Sequence, residues 1–162
     1  METEALRHSI DSLDDFGRYK LAKKPDTPPE ILAFLASDPD ELVRRGVAES
    51  PNTPLEVLFV LAGDRSEWVR LAVISSGYDS RPRVFFHLLK DDPSHAVREE
   101  VALNHGCPAE VMEDIATGQD HFMKKSLLKN HAITDNCLTI LANDADEEVA
   151  SAAQSLIAKR SI

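Results

Sequence analysis

An all-α fold, a solenoid of short paired helices, is what this sequence predicts, and three observations predict it. A block beginning at Val43 (VRRGVAES) recurs at Val69 (VRLAVISS), Val97 (VREEVALN) and Met123 (MKKSLLKN), in steps of 26, 28 and 26 residues. The apolar residues follow helical spacing, with no alternation of the kind a half-buried strand shows. The joints between blocks carry Thr, Pro, Asp and Glu, the residues that start helices. A sequence period in this range is the signature of stacked repeats.

One further step of 26 reaches Val149 (VASAAQSL), and one step back from Val43 reaches Gly17 (GRYKLAKK). Residues 1–16 come first and read as an N-terminal capping helix, with Leu6, Ile10 and Leu13 forming one apolar stripe. Five repeats then fill residues 17–148. The first run of each carries an apolar pair, Ile31/Leu32, Val57/Leu58, Phe85/Phe86, Val111/Met112 and Cys137/Leu138, followed at helical spacing by Leu35, Leu61, Leu89, Ile115 and Leu141. The second run carries i,i+4 pairs on one face, Val43/Val47, Val69/Val73, Val97/Val101 and Met123/Leu127. Such short runs suit α- or 3₁₀-helix. The two extra residues of the 28-residue step fall in the longer turn SSGYDSRP. Residues 149–162 close the chain as a C-terminal capping helix, apolar at Val149, Ala152, Ala153, Leu156 and Ile157.

The joints predict dense capping. Thr27-Pro28-Pro29-Glu30 and Thr53-Pro54-Leu55-Glu56 place a hydroxyl where it can cap, followed by Pro and Glu. Asp38, Asp64 and Asp144 are expected to cap the second runs in the same way. Helices this short are marginal alone because nucleation is costly, so caps and stacked neighbours must stabilise them.

The bulk numbers narrow the function. A chain of 162 residues suits one domain, and 18 Lys plus Arg against 28 Asp plus Glu leaves a net charge of −10. Such a chain repels phosphate at long range, which argues against nucleic acid and anionic membrane as partners. Cys107 and Cys137 are the only cysteines and form no CxxC, pointing to a reducing compartment. The acidic N-terminus has no long apolar run, so it does not read as a signal peptide. Nor does any stretch approach the ~18 apolar residues of a membrane span. The expected location is the cytoplasm.

The segments DPDELVRRGVAESPNTPLEVLFVLA and NHGCPAEVMEDIA resemble the leucine-rich repeat variant family, and the LAxDxxxxVRxxVA core is similar to a HEAT repeat. The resemblance covers roughly residues 17–157 and implies a right-handed superhelix of paired short helices. Founding members of the variant family carry a cysteine cluster for an iron–sulfur centre ahead of the repeats. This sequence has no such cluster, so that cofactor is not carried over and none is expected. In the fifth repeat Gly118 stands where Asp38 and Asp64 stand, and at the next step Ala150 stands where Arg44 and Arg70 do.

Three constellations could carry chemistry. Arg18, Arg44, Arg70, Arg98 and Lys124 share one repeat position. HEAT-like scaffolds include alkylpurine DNA glycosylases that hold duplex DNA with such a groove, but pairing with Asp38, Asp64 and Asp92 between repeats is the favoured account. His105 and His131 lie one repeat apart with Cys107 nearby, a spacing that suits turn residues better than one zinc ion, whose ligands must converge tetrahedrally. The paired acids, Asp91-Asp92 and Glu147-Glu148 among them, read as caps or solvated faces. Phosphate loop, serine-nucleophile motif and HExxH are all missing from the sequence, and nothing in it argues for an enzyme.

What remains is surface. Two residues after each second-run anchor the helix faces outward, and that row reads Tyr19, Arg45, Leu71, Glu99 and Lys125. Six residues after the anchor it reads Lys23, Glu49, Ser75, Leu103 and Lys129. Mixed charge around a central Leu71 is what a protein-binding ridge needs. The expected function is a non-catalytic protein-interaction scaffold that captures its partner through Tyr19, Arg45, Leu71, Glu99 and Lys125, without a metal. The alternatives are a HEAT-like nucleic-acid-binding or base-repair protein and an accessory protein for cofactor loading.

Overall fold

The structure, a computed structural model, describes residues 8–75 and 82–161. It is all-helical, with no strand and no 3₁₀-helix among the described residues. The chain divides into two compact units, Met1–Gly77 and Tyr78–Ile162. In the first, a helical turn at residues 8–11 precedes α1 (Asp15–Lys23), α2 (Pro29–Leu35), α3 (Glu41–Glu49), α4 (Leu55–Leu61) and α5 (Glu67–Ser75). The second contains α6 (Val84–Leu89), α7 (His95–Leu103), α8 (Ala109–Thr117), α9 (His121–Leu127), α10 (Asp135–Leu141) and α11 (Glu147–Arg160). None of these helices is long and apolar enough to cross a membrane.

Within each unit the helices pack in chain order. In the first, α3 lies between α1 and α5, while α2 bridges α1 and α3, and α4 bridges α3 and α5. In the second, α9 lies between α7 and α11, α8 packs on α9 and α10, and α10 packs on α11. The repeated apolar residues make both cores. Leu32, Leu35, Leu61, Val43, Val47, Val69 and Val73 are fully buried in one, and Phe85, Val97, Val101, Leu127, Leu138 and Leu141 in the other. Burying a side chain of this size contributes about 1.5–3 kcal/mol. Packing, more than propensity, is therefore what holds helices of two or three turns.

The joints differ from the expected capping in two ways. Thr27 and Thr53 do not cap the following helix. Their hydroxyls turn back and donate to Leu21 and Val47 carbonyls, the latter at 2.6 Å, at the end of the preceding one. Pro28 and Pro54 occupy the cap positions of α2 and α4 in extended conformation, so neither helix has a side-chain cap. Proline fixes that backbone without help, which frees the threonine for the orphan carbonyl behind it. Thr134, with no proline after it, does cap its helix, accepting from Cys137 N at 3.2 Å. Asp38, Asp64 and Asp144 likewise do not sit at the caps. Each accepts the N–H two residues on, from Asp40, Ser66 and Asp146 at 2.8–2.9 Å. Asp40 and Asp146 are the caps, accepting from Leu42 N and Glu148 N.

This arrangement aims the earlier aspartates at the basic row. Arg44 Nε and Nη2 hold Asp64 in a two-pronged pair at 2.7 and 2.9 Å, and Nη1 donates to the Asp38 carbonyl at 2.8 Å. Arg18 grips Asp38 in the same way at 2.6 and 3.2 Å, and Lys124 meets Asp144 at 2.5 Å. Arg70 Nη1 donates to the Asp64 carbonyl at 2.7 Å. Where Gly118 replaces the expected aspartate, Arg98 reaches instead to the cap residue Asp120, at a looser 3.4 Å. Each of these carboxylate pairs ties one second-run helix to the joint that leads into the next.

At the N-terminal end Ile10 is buried and Leu13 is exposed, and Leu6 lies outside the described residues. In α11, Val149 and Ala153 are buried, but Ala152 and Ile157 are exposed and Leu156 only half-buried. The stripe is narrower than expected because α11 packs on α10 and α9 along one side only. The longer turn at SSGYDSRP falls largely at residues 76–81, outside the described residues.

Candidate interaction surface

The first unit brings three of the expected partner-binding residues onto adjacent helices: Tyr19 on α1, Arg45 on α3 and Leu71 on α5. Arg45 is exposed, whereas Tyr19 and Leu71 are half-buried. Leu71 is therefore not the exposed apolar centre that its row position suggested. That role falls to the residue just before each anchor. Phe16, Leu42 and Trp68 keep 58%, 53% and 51% of their surface in solvent. They occupy the same place on α1, α3 and α5, one helical turn before Tyr19, Arg45 and Leu71, so the two rows share a face.

Local contacts fix this face. The Phe16 and Tyr19 rings stack with centroids 6.4 Å apart, and Lys20 Nζ sits 4.2 Å over the Phe16 ring. Tyr19 lies flat on α3 because residue 46 is glycine: a Cβ there would come within 2.9 Å of Tyr19 Cδ2. Beside it, Glu49 accepts from Lys23 at 2.9 Å and from Arg45 at 2.8 Å. Burial pushes the Glu49 carboxyl up, but the two cations outweigh it and hold the group below the ordinary glutamate range. A shallow groove of about 260 Å³ opens between Glu41, Leu42, Arg45 and Trp68. An apolar strip edged by held charges is an arrangement in which burial gives affinity and polar groups give register.

The other two expected residues lie in the second unit, where both are engaged. Glu99 on α7 accepts from Ser126 Oγ on α9 at 3.2 Å. Lys125 on α9 pairs with Glu148 and lies 3.9 Å from Asp146. The residue before the anchor is again apolar and exposed at Phe122, whose ring stands edge-on to His95 at 4.4 Å.

Sequence reasoning passed over Phe16, Leu42, Trp68 and Phe122. Their signal was the recurrence of a large apolar group immediately before the anchor, at DF-G, EL-V, EW-V and HF-M. Adjacent to a buried position, it reads as a wider core stripe. The geometry shows that it turns outward.

The remaining constellations resolve into structure. His105 and His131 lean together edge to face, with ring centroids 5.7 Å apart. No group of three or more His, Cys, Asp or Glu able to hold a metal occurs among the described residues. Cys107 is buried, and desolvation pushes its thiol up to about 12, far from a reactive thiolate at neutral pH. No family model, curated protein or solved structure matches this chain.

Proposed function

We propose that the chain is a right-handed α-solenoid of about five 26-residue repeats, akin to the leucine-rich repeat variant and HEAT-like proteins. In this reading it works as a non-enzymatic protein-interaction scaffold in the cytoplasm. The partner docks on the outward face of the second helices in the first unit. The observation that carries the reading is the row of Phe16, Leu42 and Trp68, three large apolar side chains half in solvent on consecutively packed helices. A large aromatic in a polar rim is the usual hot-spot composition. The nucleic-acid alternative draws less support, because Arg18, Arg44, Arg98 and Lys124 already hold carboxylates.

Affinity capture from the native host, followed by titration of the recovered protein, tests this reading. Trp68→Glu should leave the helical circular dichroism unchanged and weaken capture by about 2 kcal/mol or more. Val69→Glu, which buries an unpaired charge in the core beside it, should unfold the unit. Capture by Trp68→Glu at wild-type strength places the docking face elsewhere. Unfolding by both changes makes Trp68 part of the core and ends the proposal.

A further inference from the structure

We infer that the second unit carries a separate peptide-docking groove, between α9 and α11, that takes an acidic amphipathic helix presenting an aromatic or large aliphatic side chain. The inference does not depend on the docking face proposed for the first unit.

The argument starts from a repeated contact. In two places the residue two after an anchor lies over the residue three after the next anchor, on the neighbouring helix. In the first unit Tyr19 covers Gly46 this way, filling the space between α1 and α3 with an aromatic ring. In the second, Glu99 reaches Ser126 between α7 and α9. One step on, Lys125 should cover Ala152. It pairs with Glu148 and lies 3.9 Å from Asp146, and with Ala152 it lines a space that stays open. The result is a groove of about 520 Å³ lined by Leu128, Ala152 and Leu156. Its floor is apolar and accessible, since Ala152 is exposed and both leucines are half-buried. A groove of this size with an apolar floor suits an aromatic or large aliphatic side chain.

Charge selects the rest of the occupant. Lys129 and Lys159 flank the groove at one end, both exposed, and neither is paired with a carboxylate among the described residues. Two uncompensated cations on a chain of net charge −10 mark a local reversal of sign. An acidic segment is attracted there, and a helix laid in an apolar groove is a common recognition mode. Lys125 is neutralised by Glu148 at the other end, so the acidic end of the ligand lies over Lys129 and Lys159.

The probe is a short fluorescein-labelled helical peptide with Phe and Leu on one face and Glu clustered at one end, titrated into the full chain. Binding should move the amide resonances of Leu128, Lys129, Ala152, Leu156 and Lys159. A double change, Lys129→Glu with Lys159→Glu, should weaken binding by about tenfold or more. A peptide with Lys in place of Glu should then prefer that variant over the wild type. Ala152→Trp should fill the groove from its floor and abolish binding while the chain stays folded, because Ala152 is exposed. Trp68→Glu should bind the peptide normally, which separates this groove from the first-unit face. The inference is overturned if the double variant binds as well as wild type, if the shifted amides lie elsewhere, or if Ala152→Trp folds and binds unchanged. It is equally overturned if phosphatidylserine vesicles retain the chain through these lysines while the peptide does not bind.

Discussion

At the scale of single residues, one buried ion pair shows why the basic row is structural. The Arg44 and Asp64 side chains keep only 6% and 9% of their surface in solvent. Burial pushes the Asp64 carboxyl up, but the hydrogen bonds from Arg44, the Ser66 N–H and the nearby charges of Arg44 and Arg65 outweigh it. The group sits below its ordinary value. A depressed carboxylate contributes stability that is fully present above its unfolded pKa of about 4 and is lost as pH falls through the lower folded value. Arg44→Leu leaves Asp64 buried without its cation and leaves the Asp38 carbonyl without a donor. Removing one partner of such a pair costs about 3–5 kcal/mol, and that is the expected loss at pH 7 in urea unfolding. The difference from wild type should shrink as pH drops below about 4, because protonated Asp64 no longer needs the guanidinium. An undiminished difference in acid means that Arg44 stabilises through its stem and not its charge.

The element scale is where sequence and structure part company, and the reasons are physical. The buried rows were legible because each anchor pair recurs at helical spacing, and Val43, Val69, Val97 and Leu127 are all in the core. The caps were misread because a Thr before Pro has two possible uses. Once proline fixes the entry backbone, the hydroxyl does more good on the orphan carbonyl of the preceding helix. The exposed row was missed because the direction of a residue next to an anchor depends on how the neighbouring helix crosses, which no single segment encodes. The joints also reveal an unfinished device. Asn130 Nδ2 donates to the carbonyls of Ala102 and Asn104 at 2.8 and 2.9 Å, and its Oδ1 accepts from Ala132 N, tying one sequence repeat to the last. Ser50 holds the corresponding place after α3, buried, with its Oγ unpartnered. Ser50→Asn should let the amide reach the carbonyls of Ala22 and Lys24 and remove the orphan hydroxyl. The expected gain is about 1 kcal/mol, the net worth of one such hydrogen bond, read as a rise in the urea midpoint with unchanged slope. A loss instead would mean that the joint after α3 is too tight for the longer side chain.

For the whole molecule, the proposed solenoid makes stability a matter of neighbours, so the last helix should behave as a lid. α11 covers α10 and α9, burying Val149 and Ala153 completely. Its far end is also tied down. Arg160 pairs with Asp135 at 2.6 Å and donates to the Ile133 carbonyl at 2.9 Å, while Gln154 donates to the Ala142 carbonyl at 3.1 Å. Deleting residues 149–162 removes these contacts together and uncovers apolar surface on α10 and α9, with no polar face behind it to replace the lost one. Burial of Val149 alone is worth about 1.5–3 kcal/mol, so the cut should lower the melting temperature by several degrees for a chain of this size. Amide exchange should rise most in α10 and α9 and least in α1 to α5, because in a linear stack the loss is felt by neighbours before distant repeats. The uncovered face should drive concentration-dependent association in sedimentation velocity. A truncated chain that stays monomeric and melts like the wild type would show that α11 is an appendage. Uniformly raised exchange through both units would show a single cooperative core in place of a stack, and the solenoid reading would fall with it.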